Sequence, residues 1–174
     1  CFADPDQGTA SAVYIGENKL ATKIAVIYDS STTYSSGIRE AFVKEAGNHG
    51  LEIVADEAFT ADNATDFSVQ LDKAKEAGAE LVFLPVYYEE ASFILKQASD
   101  KDFAPIFFGC DGMDGILTVE NFDTSLAEGL MLLTPFSPTE ESSKAFTEAY
   151  VAAYGIEPNQ FAADSYDAVY AIKA

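Results

Sequence analysis

Tyr34, Tyr87 and Asp111 are the residues whose types and settings point to chemistry. Tyr87 follows the apolar run Leu81 to Pro85, and Asp111 follows the apolar run Ala104 to Phe108. Between the two runs, Glu89 to Ser99 carries Ala91, Ile94, Leu95 and Ala98 at helical spacing. Two strands joined by a helix are parallel with a right-handed crossover, so their tails share one rim of the sheet. Ligands of open α/β sheets bind at that rim, outside the carboxyl ends of the strands. Tyr34 ends the loop Asp29-Ser30-Ser31-Thr32-Thr33-Tyr34, which follows another strand, KIAVIY, and so reaches the same place. An aromatic face beside a carboxylate suits an organic cation, above all the ammonium group of an amino acid. The loop hydroxyls at a helix start admit two readings: a seat for a carboxylate or phosphate, or an ordinary Ser/Thr cap.

Other chemistries lack their residues. No GxGxxG follows the first strand, no GxxxxGK[ST] is present, and no GxSxG elbow appears. The single histidine, His49, sits where a helix stops, which the helix dipole favours; without a second one, no Ser/His triad or His-rich metal site can be built. Asp62, Asp66 and Asp72 read as cap and surface charges. Cys110 reads as a small buried hydrophobe, and two cysteines support neither a disulfide framework nor a metal site. No enzyme activity and no cofactor are expected.

The positioning elements follow in order. A helix begins near Asp4-Pro5-Asp6 and runs over Thr9 to Leu20, with Ala10, Val13, Tyr14 and Leu20 as its apolar side. Lys23 to Tyr28 is a strand buried on both faces. The next helix reaches about Ala46, with Ile38, Ala41, Phe42 and Ala46 turned inward. Leu51 to Phe59 is a partly exposed strand, and Phe67 to Ala77 a helix capped by Thr65 or Asp66. After Gly112 the pattern weakens: one short helix within Met113 to Thr124, a fifth strand over Glu128 to Pro135, then helices Glu140 to Tyr154 and Phe161 to Ala174. The alternation predicts a doubly wound, three-layer α/β sandwich around a mostly parallel, Rossmann-like sheet of five strands in the order 2-1-3-4-5.

A chain of 174 residues fits a single domain and buries roughly 70% of its unfolded surface. Its 29 acidic and 10 basic side chains give a net charge of -19, so nucleic acid and anionic membrane are poor partners. No apolar run is long enough to span a bilayer as a helix. For Cys1 two readings stand, the acylated first residue of a bacterial lipoprotein or simply where this sequence starts. The second is adopted, because no flexible polar tether follows. A helix before the first strand, and a last helix still in pattern at Ala174, suggest a piece of something larger.

KIAVIYDSSTTYSSGIREAF, AGAELVFLPVYYEEASFILKQASDKDFAPIFFGCDG, AEGLMLLTPFSP and AADSYDAVYAIKA resemble segments of the type I periplasmic binding proteins of branched-chain amino acid ABC transporters. DPDQGTASA is similar to the stretch where that family's chain passes into its second lobe. The resemblance implies residues 1–174 as the ligand-binding second lobe of a two-lobed receptor whose first lobe, with the groups that hold the ligand carboxylate, is absent. It implies an extracytoplasmic solute-binding protein, in the periplasm or lipid-anchored at the cell surface, that presents an aliphatic amino acid to permease subunits. A ligand-sensing domain of a receptor or regulator shares the same fold and is the alternative. By the same resemblance, Tyr34 closes over the ligand, Tyr87 is the aromatic after the third strand, and Asp111 pairs with the α-ammonium. Two departures bear on the ligand: Ser35 stands where the family has Gly after the tyrosine, and Asp111 where leucine-type receptors have Glu. The second shortens the acid's reach by about 1.5 Å.

Overall fold

The computed structural model describes residues 3–173; the lipidation reading of Cys1 lies outside them. They fall into two compact units, a larger one ending at Leu133 and a smaller one opening at Thr134.

The larger unit holds helices α1 (Asp4–Glu17), α2 (Thr33–Ala46), α3 (Ser68–Glu76) and α4 (Tyr88–Asp100), with strands β1 (Lys23–Asp29), β2 (Glu52–Phe59), β3 (Leu81–Leu84), β4 (Ile106–Gly109) and β5 (Met131–Leu132). The five strands form one sheet in the order β2-β1-β3-β4-β5, and each neighbouring pair is parallel. The expected order and direction are thus observed. Alternation along each strand divides the core. Ile24, Val26, Leu81 and Phe83 face Ala12, Ile15, Ile38 and Phe42 of α1 and α2, with Phe42 stacked on Phe83 at 4.0 Å between ring centroids. Ala25, Ile27, Val82 and Leu84 face Leu71, Ala74, Ile94 and Leu95 of α3 and α4. Strands buried on both faces read as continuous apolar runs, which is how β1 and β3 look in the sequence. Edge strand β2 is instead half-buried, and its acids pair outward, Asp56 with Arg39 and Glu57 with Lys73.

Three local expectations are corrected. The buried side of α1 is Gln7, Gly8, Ser11, Ala12 and Ile15, whereas Ala10 and Tyr14 are exposed. A Cβ at Gly8 would collide with the Ile38 carbonyl and stand 2.8 Å from the Phe42 nitrogen, so α1 lies almost on the backbone of α2. Small residues make that approach possible. The segment after Gly112 forms no single helix but separate 3₁₀ turns, Ile116–Thr118 and Thr124–Ala127, following one at Asp111–Met113. Of the run Glu128 to Pro135, only Met131 and Leu132 join the sheet.

The smaller unit carries α5 (Lys144–Tyr154) and α6 (Gln160–Lys173). Gly155, at φ 74°, ends α5 in the left-handed conformation that glycine tolerates best. Phe146 lies 5.0 Å from Tyr166 between ring centroids, joining the two helices.

Candidate ligand-binding rim

Because all five strands run parallel, the residues after β1, β3 and β4 emerge along one edge of the larger unit. Tyr34 stands in the first turn of α2, just past β1. Tyr87 is the N-cap residue of α4, just past β3. Asp111 opens the 3₁₀ turn after β4. These three meet. The Tyr34 and Tyr87 rings stack at 4.8 Å between centroids and 23° between planes. The Tyr34 hydroxyl donates to Asp111 Oδ1 at 2.7 Å and accepts the Gly112 N–H at 2.9 Å. Tyr87 remains 43% exposed, so the stacked pair shows an aromatic face to solvent beside a half-buried carboxylate.

Gly112 is what allows this closeness. A Cβ there would stand 2.6 Å from the Tyr34 hydroxyl oxygen and 3.1 Å from Tyr87 Cδ1. Burial first, and then the bond to Asp111, push the Tyr34 phenol well above its ordinary range. It therefore stays protonated and keeps donating. Tyr87 is raised too, by burial and then by the neighbouring charges of Asp4, Asp111 and Glu90. Burial likewise raises the adjacent Cys110 thiol, aided by Asp111, so this wholly buried cysteine stays neutral and packs as a hydrophobe.

The loop after β1 uses its hydroxyls internally. Thr32 Oγ1 caps α2 by accepting the Ser35 N–H, Ser35 Oγ accepts the Asp29 N–H, and Ser30 Oγ donates to the Phe59 carbonyl. The Ser/Thr cap, not an anion seat, is the reading the geometry supports. No side chain caps the turn that Asp111 opens; the carboxylate of Asp111 is engaged by Tyr34 instead. His49 Nε2 lies 3.0 Å from Glu45 Oε1, one turn back along the chain.

Sequence reasoning passed over three contributors. Gln7 of α1 is fully buried, and its Oε1 accepts the Asp111 N–H at 3.0 Å. Its Nε2 is buried without a hydrogen-bond partner, a loss of about 1–3 kcal/mol for an amide group. Asp4, at the start of α1, is exposed; partial desolvation and then repulsion from Asp111 still hold its carboxyl above the usual range. Glu90, in the first turn of α4, is raised by burial, and then by repulsion from Glu89 and Asp29. Its Oε2 also lacks a partner. The rim thus combines acids with an aromatic face, an arrangement suited to a cation. Among the described residues no cluster of His, Cys, Asp and Glu has the geometry to hold a metal.

The model of the periplasmic binding protein family matches residues 1–174. The chain belongs to that family. It is 30% identical over 173 residues to Leu/Ile/Val-binding protein homolog 1 of Brucella abortus, covering 97% of this chain and 45% of that protein. Among solved structures, it resembles the branched-chain amino acid transporter substrate-binding protein LivJ of Streptococcus pneumoniae, in complex with isoleucine. That likeness has a TM-score of 0.87 and 34% identity, over 97% of this chain and 48% of the other. The leucine-binding protein LivK of Thermotoga maritima gives a TM-score of 0.80 and 29% identity over 98% and 49%. The chain spans about half the length of the relatives it matches. The family is one of solute-binding proteins rather than enzymes.

Proposed function

We propose that this chain supplies one wall of an amino-acid binding cleft in the extracytoplasmic solute-binding component of an ABC transporter. Asp111 takes the ammonium group of a branched-chain or other aliphatic amino acid, Tyr87 lies against it, and Tyr34 holds the carboxylate of Asp111 in place. A first lobe of the same protein supplies the facing wall and the donors for the ligand carboxylate. Closure of the two lobes about a hinge then offers the loaded form to permease subunits. Attachment to the membrane comes through that permease or through a lipid anchor. The observation that carries this reading is the stacked tyrosine pair beside a carboxylate on the strand-tail rim. It is supported by relatives described as binding leucine, isoleucine and valine and by a structural neighbour in complex with isoleucine.

Enclosure between two walls gives such a site its affinity, and a single wall leaves most of the ligand wet. The test is a thermal-shift screen of the common amino acids on the full two-lobed protein. Branched-chain members should raise the melting temperature, the more so the tighter they bind. A flat response across all of them overturns the proposal. Calorimetry on residues 1–174 alone should find binding weaker than micromolar; micromolar binding there would contradict the half-site reading.

A further inference from the structure

We propose that Gln7 is a positioning residue for the ammonium site: it sets the direction in which Asp111 leaves the end of β4. The inference rests on the reading of Asp111 given above. Two consecutive backbone N–H groups fix the turn that carries this acid. The Asp111 N–H is held by Gln7 Oε1 at 3.0 Å, and the Gly112 N–H by the Tyr34 hydroxyl at 2.9 Å. One acceptor comes from α1 and the other from α2. The two helices are locked in register by Gly8, next to Gln7, whose missing Cβ lets α1 rest against the α2 backbone at Ile38 and Phe42. Nearby, a Cβ on Gly37 would lie 3.9 Å from Pro5 Cγ, so the first turn of α1 meets the first turns of the helix that carries Tyr34.

Gln7 is fully buried and keeps an unpartnered Nε2, where an apolar side chain of similar length would fill the space without leaving a polar group orphaned. What the amide supplies is the oxygen on the Asp111 N–H. Without it that N–H loses its acceptor, the turn is left held through the Gly112 N–H alone of the two, and a tilt about that point shifts the aim of the carboxylate at both the Tyr34 hydroxyl and the ligand. Charge-assisted hydrogen bonds depend steeply on distance and angle, so a small rotation is enough to be felt.

The experiment uses the full two-lobed receptor with L-isoleucine as the probe. Gln7→Met keeps the length and removes the acceptor. Leu71→Val, in the core on the opposite face of the sheet, serves as a destabilised control, and Asp111→Asn reports on the site itself. Calorimetric Kd values are taken well below each variant's melting temperature. Gln7→Met should weaken isoleucine binding by about tenfold or more, the scale of one misdirected charge-assisted hydrogen bond. Leu71→Val should stay within about twofold of wild type, since distant sites act independently. If Gln7→Met lowers only the melting temperature, with Kd as unaffected as in Leu71→Val while Asp111→Asn abolishes binding, Gln7 is structural and the proposal is wrong. Should Gln7→Met fail to fold, Gln7→Asn carries the same expectation, because its amide falls one methylene short. If wild type ignores isoleucine, or Asp111→Asn binds it normally, the functional reading itself fails and this inference falls with it.

Discussion

The Tyr34 hydroxyl and the Asp111 carboxylate are joined at 2.7 Å, one from the start of α2 and the other from the end of β4. The phenol donates to the acid while accepting the N–H of the next residue, Gly112. Both hydrogen-bonding roles of the hydroxyl are thus spent on the turn that bears Asp111. An ionised carboxylate has about four lone-pair sites, so this bond leaves room for a ligand ammonium on the same group. The ring of Tyr34 supports Tyr87 from behind, so one side chain organises both the charged and the aromatic halves of the rim.

Tyr34→Phe separates those halves. The stacked ring is kept, but the Gly112 N–H loses its acceptor and Asp111 its donor. We expect a loss of ~1–3 kcal/mol in stability, the usual range for an orphaned buried polar group, with a smaller drop in amino-acid affinity than removal of the carboxylate itself. Urea unfolding and calorimetry on the same preparations check both; an unchanged midpoint would mean that the bond contributes nothing.

Gly112→Ala tests the packing rather than the charge. Its Cβ would meet the Tyr34 hydroxyl oxygen at 2.6 Å and Tyr87 at 3.1 Å, and one of the rings must move. Overpacking of this kind typically costs ~1–3 kcal/mol. Affinity should fall along with the melting temperature, because the displaced groups are the proposed ligand contacts. A variant that melts and binds like wild type would show that the rim is more pliable than the stacked pair implies.

The fold and the three rim residues were legible because they rest on patterns with one dominant cause. Ile24 and Val26 face one helical layer and Ala25 and Ile27 the other, which makes β1 a continuous apolar run. Parallel direction then places Tyr34, Tyr87 and Asp111 on one edge whatever the details. Gln7 was not legible. Periodicity looks for large apolar residues, and in α1 it selects Ala10, Val13 and Tyr14. The helix actually buries Gln7, Gly8 and Ser11: Gly8 rests on the backbone of α2, where bulk is a penalty, and Gln7 reaches the Asp111 N–H, a polar contact that no apolar period reveals. Glu90 was hidden for another reason. An acid in the first turn of a helix is well explained by the dipole, and nothing local says that burial will leave one of its oxygens without a partner. The stretch after Gly112 has no period to read: its 3₁₀ turns are held by local carbonyls and by Asp123, whose side chain accepts the Ser125 N–H.

Glu90 gives a pH prediction. Burial, and then the charges of Glu89 and Asp29, raise its folded-state pKa above the ordinary 4.5. Between that value and the raised one, the folded state holds more proton than the unfolded state, so stability falls as pH rises through the window. Above it the ionised group weakens the fold; below 4.5 the penalty is absent. Glu90→Gln should therefore melt higher than wild type at neutral pH, and the difference should vanish at acid pH. Melting curves that stay parallel over the whole pH range would contradict a partly buried carboxylate with one unpartnered oxygen at this position.

The ranking of two rim substitutions separates a ligand site from a structural one. If Asp111 holds the ligand ammonium as proposed, Asp111→Asn in the full receptor leaves a desolvated charge without its partner, which typically costs ~3–5 kcal/mol, roughly two to four decades in Kd. Tyr87→Ala removes only aromatic and cation–π contact, on the order of 1–2 kcal/mol, and about one decade. Neither change should disturb folding much. Tyr87 is 43% exposed, and its loss mainly uncovers Tyr34. In Asp111→Asn the amide oxygen can still accept from the Tyr34 hydroxyl, so the melting temperature should move little. If Asp111 merely shaped its own turn, the order would reverse: stability would fall by about 1 kcal/mol, as for a lost cap, while affinity stayed nearly intact. Measuring Kd and melting temperature for both variants decides between the two, and a lowered melting temperature with unchanged affinity in Asp111→Asn would sink the ammonium site.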